Sequence, residues 1–103
     1  MYKLGVYIPE THVDEVKQAI FAAGAGRIGN YDNCCWQIAG VGQFRPLPGS
    51  QPFAGCQGTV ESVPETRVEL VVDDNLIRAV LAALRSAHPY EEPAFDVVKL
   101  AEF

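Results

Sequence analysis

The fold of this chain is decided by one short stretch, which reads His88-Pro89-Tyr90-Glu91-Glu92-Pro93. A helical pattern runs directly into this stretch, and a strand pattern runs directly out of it. Proline fixes its own φ angle and pushes the preceding residue toward an extended backbone, so the helix must end near His88. Residues 88–93, called the proline turn below, therefore hold an imidazole, a phenol and two carboxylates in a stiff connection between a helix and a strand.

The composition of the chain is that of one globular domain. Its 103 residues are 49% hydrophobic and 20% charged, with a net charge of −5. A nucleic-acid binder needs a basic surface, so this class of function is excluded. No stretch approaches the ~18 consecutive apolar residues of a membrane-spanning helix, and no leader pattern follows Met1. We therefore expect a single domain over residues 1–103, located in the cytoplasm, without nucleic-acid or membrane partners.

The cysteines give no sign of a disulfide framework or of a metal site. Cys34, Cys35 and Cys56 make an odd count without a spaced ligand pair. Adjacent cysteines on a strand point to opposite faces, so Cys34 and Cys35 do not line one site together. Free thiols in a reducing compartment are the simpler interpretation.

Apolar spacing in the first half of the chain predicts a strand, a helix and a second strand. Alternation over residues 2–8 indicates the first strand, and helical spacing follows it. Thr11 and Asp14 resemble a capping box at the start of this helix, and Gly24 suits its end. The second strand is predicted over residues 34–45.

The second half begins with a long loop over residues 46–58, a length that is usually functional or disordered. A third strand is predicted over residues 59–72, with an interruption at Pro64. Asp73 or its neighbour at position 74 is expected to cap a second helix, which ends at the proline turn. A last strand is predicted over residues 94–100.

The order strand–helix–strand–strand–helix–strand predicts a ferredoxin-like α+β sandwich, βαββαβ. Right-handed crossovers place both helices on one face of a four-stranded antiparallel sheet. This topology gathers His12, the 46–58 loop and the proline turn at one rim of the sheet. The 25–33 loop lies at the opposite rim. The second face of the sheet stays open unless a partner covers it.

Three motifs make the chain similar to a known domain family. The motifs are Gly24-Ala25-Gly26-Arg27-Ile28-Gly29-Asn30-Tyr31-Asp32, Gly42-Gln43-Phe44-Arg45-Pro46 and Ala87-His88-Pro89-Tyr90-Glu91-Glu92-Pro93-Ala94-Phe95-Asp96. In this order along the chain they resemble the YqfO-type domain of the CutA and PII-like superfamily. That domain is inserted in the Nif-three-like dinuclear-metal-centre hexameric proteins, and it also occurs alone.

The resemblance implies a self-associating domain. CutA-like domains are ferredoxin-like trimers associated with divalent metal ions, and PII-like relatives sense small ligands through the loop between strands two and three. The dinuclear site of the larger hexameric proteins belongs to a flanking domain, so its ligands are not carried over to this chain. We expect a homo-oligomer, with a trimer as the first choice and a dimer as the second. Apolar side chains on the uncovered sheet face favour the same expectation.

The candidate metal ligands are His12, His88, Glu91 and Glu92, since imidazole and carboxylate groups suit divalent ions such as zinc or copper. An imidazole must be neutral to bind a metal, so affinity would fall on acidification through the histidine range. In the structural alternative, His88 hydrogen-bonds the last helical carbonyls and both glutamates stay solvated. The sequence leaves both interpretations open.

The candidates for contact with a small ligand lie at both rims. Tyr90 and Arg45 lie near the proline turn, whereas Asn30, Tyr31 and Asp32 form a polar cluster in the opposite loop. That loop is rich in glycine, but it follows a helix, whereas loops that bind phosphate lead into one. Nucleotide phosphate binding is therefore not expected there.

The sequence favours a module that is not an enzyme, without excluding catalysis. No serine or cysteine has an identifiable base, and the adjacent carboxylates Glu91 and Glu92 point apart. The predicted function is a cytoplasmic oligomeric module with a regulatory role, which binds a divalent metal or a small ligand. The alternative is a structural or protein-interaction module that docks on a larger partner.

Overall fold

The computed structural model describes residues 1–103 and has the predicted order of elements. Its elements are β1 (Tyr2–Pro9), α1 (Val13–Ala22), β2 (Trp36–Phe44), β3 (Glu61–Val72), α2 (Ile77–Ala87) and β4 (Phe95–Lys99). The strand order in the sheet is β2-β3-β1-β4, and each neighbouring pair is antiparallel. The ferredoxin-like α+β fold is therefore confirmed. Neither helix has the length and apolar character needed to cross a lipid bilayer.

One apolar core lies between the two helices and one face of the sheet. Alternate residues of β1 and β3 point into it, as the period of two in a strand requires. Both helices add residues spaced three or four positions apart, which lie on one face of a helix. Both helices therefore cover the same face of the sheet. The largest fully buried side chains are Leu4, Val6, Ile8, Val16, Ile20, Val68, Val72, Val80 and Leu84.

The end of α1 follows the sequence prediction. Gly24 adopts a φ of 107°, which a residue with a Cβ rarely reaches. Its N–H donates to Phe21 O at 3.0 Å, and the N–H of Ala25 donates to Ile20 O at 3.0 Å. These two bonds form a Schellman motif, and they place Ala25 in the core at the foot of the helix.

The predicted capping residues do not cap the helices. The chain leaves β1 through a 3-10 turn, Glu10–His12, and Thr11 Oγ1 contacts His12 Nδ1 at 2.8 Å. Neither helix has a side-chain hydrogen bond at its N-cap. Asp74 instead binds the amino terminus and Lys99. Both capping predictions were wrong, and two of the predicted capping side chains, Thr11 and Asp74, have other partners.

The third strand is continuous through Pro64, so the predicted interruption was wrong. Pro64 pairs with Val41 of β2 in an unbroken ladder. The pairing of β3 with β1 ends one residue later, at Pro9 and Glu65. Only one side of Pro64 therefore has a neighbouring strand, and a missing backbone donor is tolerated at such a position.

The face of the sheet turned away from the helices, called the open face below, carries a guanidinium group that lies flat on the backbone. Arg67 donates to Glu69 at 3.0 Å and to Asp96 at 3.1 Å. The hydrogen bond to Asp96, and next that to Glu69, raises the pKa of Arg67 above its usual value. The guanidinium also lies over the Tyr7 ring, 4.8 Å from its centroid. Gly5 lies directly beneath, and a Cβ there would overlap the guanidinium nitrogen Nη2.

We expect Gly5→Ala to destabilise the fold by about 1 to 3 kcal/mol, the usual cost of overpacking. The added methyl displaces the guanidinium of Arg67 and breaks its bonds to Asp96 and Glu69. Gly40→Ala is the matched control, because a Cβ at Gly40 meets no atom within 4 Å. Urea unfolding of the three proteins measures the difference. Equal midpoints for Gly5→Ala and Gly40→Ala would show that the guanidinium is not held over Gly5.

Candidate functional site

The rim at which β1 ends and β4 begins contains a cavity of ≈ 410 Å³, called the rim cavity below. The 46–58 loop forms one wall and the proline turn forms another. Phe53 of the loop has its ring centroid 5.1 Å from that of His12 and 6.1 Å from that of Tyr90. The structure thus brings His12, the loop and the proline turn to one rim, as the topology predicts.

His88 is buried in the rim, with 5% of its surface exposed. Its Nδ1 accepts a hydrogen bond from the backbone N–H of Tyr90 at 3.1 Å, and its Nε2 lies 2.8 Å from the carbonyl oxygen of Tyr7. Because Nδ1 is the acceptor, the proton of the neutral ring must be on Nε2, which donates to Tyr7. Burial lowers the pKa of His88 below its usual value, so the ring is neutral near pH 7.

The His88 imidazole gives the Tyr7 carbonyl the hydrogen bond that a neighbouring strand would otherwise provide. The pairing of β1 with β4 ends at Val6 and Phe95. At the next position Tyr7 N–H still donates to Ala94 O at 3.1 Å, but the Tyr7 carbonyl accepts from His88. The backbone N–H of His88 closes α2 by donating to Leu84 O at 2.8 Å. The His88 side chain therefore joins β1 to the proline turn, and not to the helical carbonyls.

Tyr90 joins the proline turn to β3. Its hydroxyl donates to Glu65 Oε2 at 2.9 Å. Burial, together with this hydrogen bond, raises the pKa of Tyr90, so the hydroxyl remains a donor at neutral pH. The carboxylate of Glu65 lies over Gly42 of β2, where a Cβ would overlap Glu65 Oε1. Gly42 is therefore needed for the carboxylate to lie at the floor of the rim cavity.

Backbone hydrogen bonds give the 46–58 loop a defined shape. The N–H of Gly58 donates to Pro46 O at 2.7 Å and closes the base of the loop. Near its tip, the N–H of Gln51 donates to Glu91 Oε2 at 3.1 Å. The second bond ties the loop to the proline turn across the rim cavity, so both walls are held in place.

The four predicted metal ligands lie at this rim but do not fit a metal centre. Both nitrogens of His88 are bonded to backbone groups, and Nδ1 of His12 contacts Thr11. Glu91 accepts a bond from the loop, and Glu92 is exposed. No group of three or more His, Cys, Asp or Glu side chains is arranged to hold an ion.

The predicted ligand contacts are divided between the two rims. Tyr90 and Arg45 line the rim cavity. Asn30, Tyr31 and Asp32 do not, since they belong to the loop at the opposite end of the sheet. There Ile28 and Tyr31 exchange two backbone hydrogen bonds of 2.9 Å around a tight turn, and Tyr31 is 75% exposed.

Sequence reasoning missed several residues that line the rim cavity, among them Tyr7, Phe44, Phe53 and Glu65. Phe53 carried a signal, because a large apolar residue in a polar loop rich in proline and glycine needs a contact. Phe44 carried a weaker one, because it is the last residue of β2 and lies directly before the loop. Nothing in the sequence showed that these side chains face the same space.

Comparison with known proteins gives two kinds of relative. The chain is 46% identical over 101 residues to the GTP cyclohydrolase 1 type 2 homolog of Halalkalibacterium halodurans, covering 98% of this chain and 27% of that protein. The crystal structure of a Bacillus cereus protein related to NIF3 superposes with a TM-score of 0.83 at 42% identity. That alignment covers 98% of this chain and 26% of the other. The chain is a YqfO-like domain.

The YqfO-like domain spans about a quarter of the length of the curated relatives that it matches. No family model matches the chain. The CutA of Xylella fastidiosa has a TM-score of 0.70 at 17% identity, with 99% of this chain and 85% of that chain aligned. This likeness confirms the CutA-like ferredoxin fold, and at such identity it shows the fold alone.

We expect His88→Ala to destabilise the domain by about 1 to 3 kcal/mol, because the part-buried Tyr7 carbonyl and Tyr90 amide lose their partners. His12→Ala is the matched control, since His12 is half-exposed and contacts only Thr11 and a ring of the loop. Its effect should stay within about 0.5 kcal/mol. Urea unfolding at pH 7.5 measures both variants. A larger loss for His12→Ala would contradict the assigned role of His88.

The stabilisation by His88 should depend on pH. Its pKa in the folded state is lowered, so the unfolded state takes up the proton first as the pH falls. The stabilisation is fully present above the unfolded value of about 6.5 and decreases as the pH falls toward the folded value. The difference in unfolding free energy between the wild type and His88→Ala should therefore shrink on acidification from about pH 8 to pH 5. A difference that grows would contradict the neutral tautomer.

Proposed function

We propose that this YqfO-like domain is a cytoplasmic, self-associating module without catalytic activity, and that its rim cavity binds a small regulatory molecule. One observation carries the proposal: aromatic and polar side chains converge around a cavity of ≈ 410 Å³. Its three cysteines are free thiols, which suits a reducing compartment. The cyclohydrolase name of the longer relatives is not extended to this chain, which aligns with 27% of the Halalkalibacterium halodurans protein.

The size and lining of the rim cavity support a small organic ligand. Pockets for such ligands measure roughly 300 to 1,000 Å³ and combine apolar walls with a few placed polar groups. Here Phe44, Phe53 and Tyr90 provide aromatic walls. Glu65 and Arg45 offer an acceptor and a donor at the same surface.

The walls of the rim cavity are held by contacts within the chain, which also supports binding. Pro89 and Pro93 restrict the backbone of one wall. The bond from Tyr90 to Glu65 and that from Gln51 to Glu91 fix this wall to the sheet and to the loop. A preformed site loses less conformational entropy when a ligand binds, so a small contact area can give useful affinity.

The test is a fragment screen against the isotope-labelled chain, followed by backbone amide shifts in NMR spectra. Bound fragments should shift amides of the 46–58 loop and the proline turn. Phe53→Ala removes one wall and should weaken the best fragment about tenfold, which corresponds to about 1.4 kcal/mol. Tyr31→Ala is the matched control, because it truncates an exposed aromatic residue at the opposite rim and should leave affinity unchanged.

Two results would overturn the proposal. One is a screen in which no fragment shifts amides of the loop or the proline turn. The other is a fragment whose affinity depends on Tyr31 and not on Phe53. Zinc and copper are titrated in parallel, because a divalent metal was the other predicted ligand. Saturable metal binding that His88→Ala abolishes would favour the metal over the small molecule.

Self-association is proposed through the open face, with a trimer as the first choice and a dimer as the second. Trp36 and Ile38 lie on this face and are 60% and 53% exposed, and Val98 is exposed there as well. Trp36 and Ile38 are neighbours on β2, whereas Val98 lies on β4 at the opposite edge of the sheet. Exposed apolar groups on one face of a sheet are typical of an interaction surface. Docking on a larger partner protein would use the same surface, which is the alternative function of the domain.

We expect light scattering at micromolar concentration to give three times the chain mass of 11.2 kDa. Ile38→Glu should reduce the measured mass to that of one chain, because covering the open face would remove the added carboxylate from water. Val41→Glu is the matched control, since Val41 belongs to the same strand, points to the other face and is 77% exposed. A monomeric wild type would favour docking on a different protein.

A further inference from the structure

The rim cavity is lined by more negative than positive groups. Glu65, Glu91 and Glu92 contribute three carboxylates, whereas Arg45 is the single cationic side chain among the lining residues. The whole chain carries a net charge of −5, so its long-range field has the same sign. An anionic ligand would therefore be repelled both at a distance and on contact.

None of the three carboxylates of the rim cavity takes part in an ion pair. Glu65 accepts from the Tyr90 hydroxyl, and Glu91 accepts from the backbone N–H of Gln51. Both donors are neutral groups, so they orient the carboxylates without cancelling their charge. The ion pairs of the molecule use other acidic residues, namely Asp74, Glu69 and Asp96.

The aromatic walls also suit positive charge. The Tyr90 ring centroid lies 5.9 Å from that of Phe44 and 6.1 Å from that of Phe53, with planes inclined by 59° and 49°. Phe53 is 51% exposed, and the negative face of an aromatic ring attracts a cation. On the adjacent open face, the guanidinium of Arg67 already lies over the Tyr7 ring in this way, at 4.8 Å.

We propose that the ligand of the rim cavity is an organic cation, with an ammonium or guanidinium group carried on an apolar body. The charged group is placed between the carboxylates and the ring faces, and the apolar body fills the space beside Phe53 and Phe44. This inference rests on the proposed function, because it names the class of molecule that the same cavity binds.

Three probes of similar size and different charge test the inference: benzyltrimethylammonium, benzyl alcohol and phenylacetate. Each is titrated into the labelled full chain at pH 7.5 and low salt, and amide shifts of the loop and the proline turn give the affinity. We expect the cation to bind at least tenfold more tightly than the alcohol. Phenylacetate should bind most weakly.

Charge-neutralising variants test the origin of this preference. Glu65→Gln and Glu92→Gln should each weaken binding of the cation about fivefold or more, and weaken that of benzyl alcohol by a smaller factor, because the amide oxygen still accepts a hydrogen bond. Glu15→Gln is the matched control, since it removes the same charge from an exposed position of α1, outside the rim cavity. Phe53→Ala should weaken binding of both probes.

The outcomes separate the two proposals. In one contrary result, benzyl alcohol or phenylacetate binds as tightly as benzyltrimethylammonium or more tightly, with amide shifts at the rim cavity. This result would overturn the proposal of a cationic ligand and leave that of a small-molecule site in place. An equal effect of Glu15→Gln and Glu92→Gln would also overturn the cationic ligand, because attraction by the net charge would then explain binding. If fragments bind in the cavity but none of the three probes does, the proposal of a cationic ligand is overturned, whereas the proposal of a small-molecule site still holds.

Discussion

The hydrogen bonds of one buried imidazole determine the geometry of the rim. His88 donates to the carbonyl of Tyr7 and accepts from the amide of Tyr90, and so joins the end of β1 to the proline turn. With the turn fixed there, the Tyr90 hydroxyl reaches Glu65 on β3. The aromatic walls and the acidic floor of the cavity therefore depend on a side chain that does not itself line the cavity. Such a residue positions a site and does not contact the ligand.

Most of the fold could be predicted from local signals in the sequence. Alternation in β1 and β3, helical spacing in α1 and α2, and two prolines after His88 were enough to give the order of elements. The helix starts were not predictable in this way. Whether Thr11 caps a helix or contacts His12 depends on which partner is nearer. Asp74 pairs with the amino terminus and with Lys99, which lie near the two ends of the chain. Competition among distant partners leaves no local pattern.

The location of the candidate site could be predicted from the sequence, but its side-chain contacts could not. Topology gave the rim that holds His12, the long loop and the proline turn. Topology could not show that both ring nitrogens of His88 are hydrogen-bonded to backbone groups. These bonds depend on the residue at which β4 stops pairing with β1. Nor could topology show that Phe53 folds back onto Tyr90. The conformation of a loop of this length is set by tertiary contacts, which a single sequence does not display.

The two outer strands of the sheet differ in their ability to pair with a further strand. β4 is five residues long and carries Asp96 and Lys99, and a short charged strand resists pairing with a foreign chain. β2 is nine residues long and has no charged residue and no proline between Trp36 and Phe44. Its outer backbone groups are thus an unprotected template for one more antiparallel strand. The sheet can therefore be extended more readily across β2 than across β4, and the β2 edge is the one more exposed to aggregation.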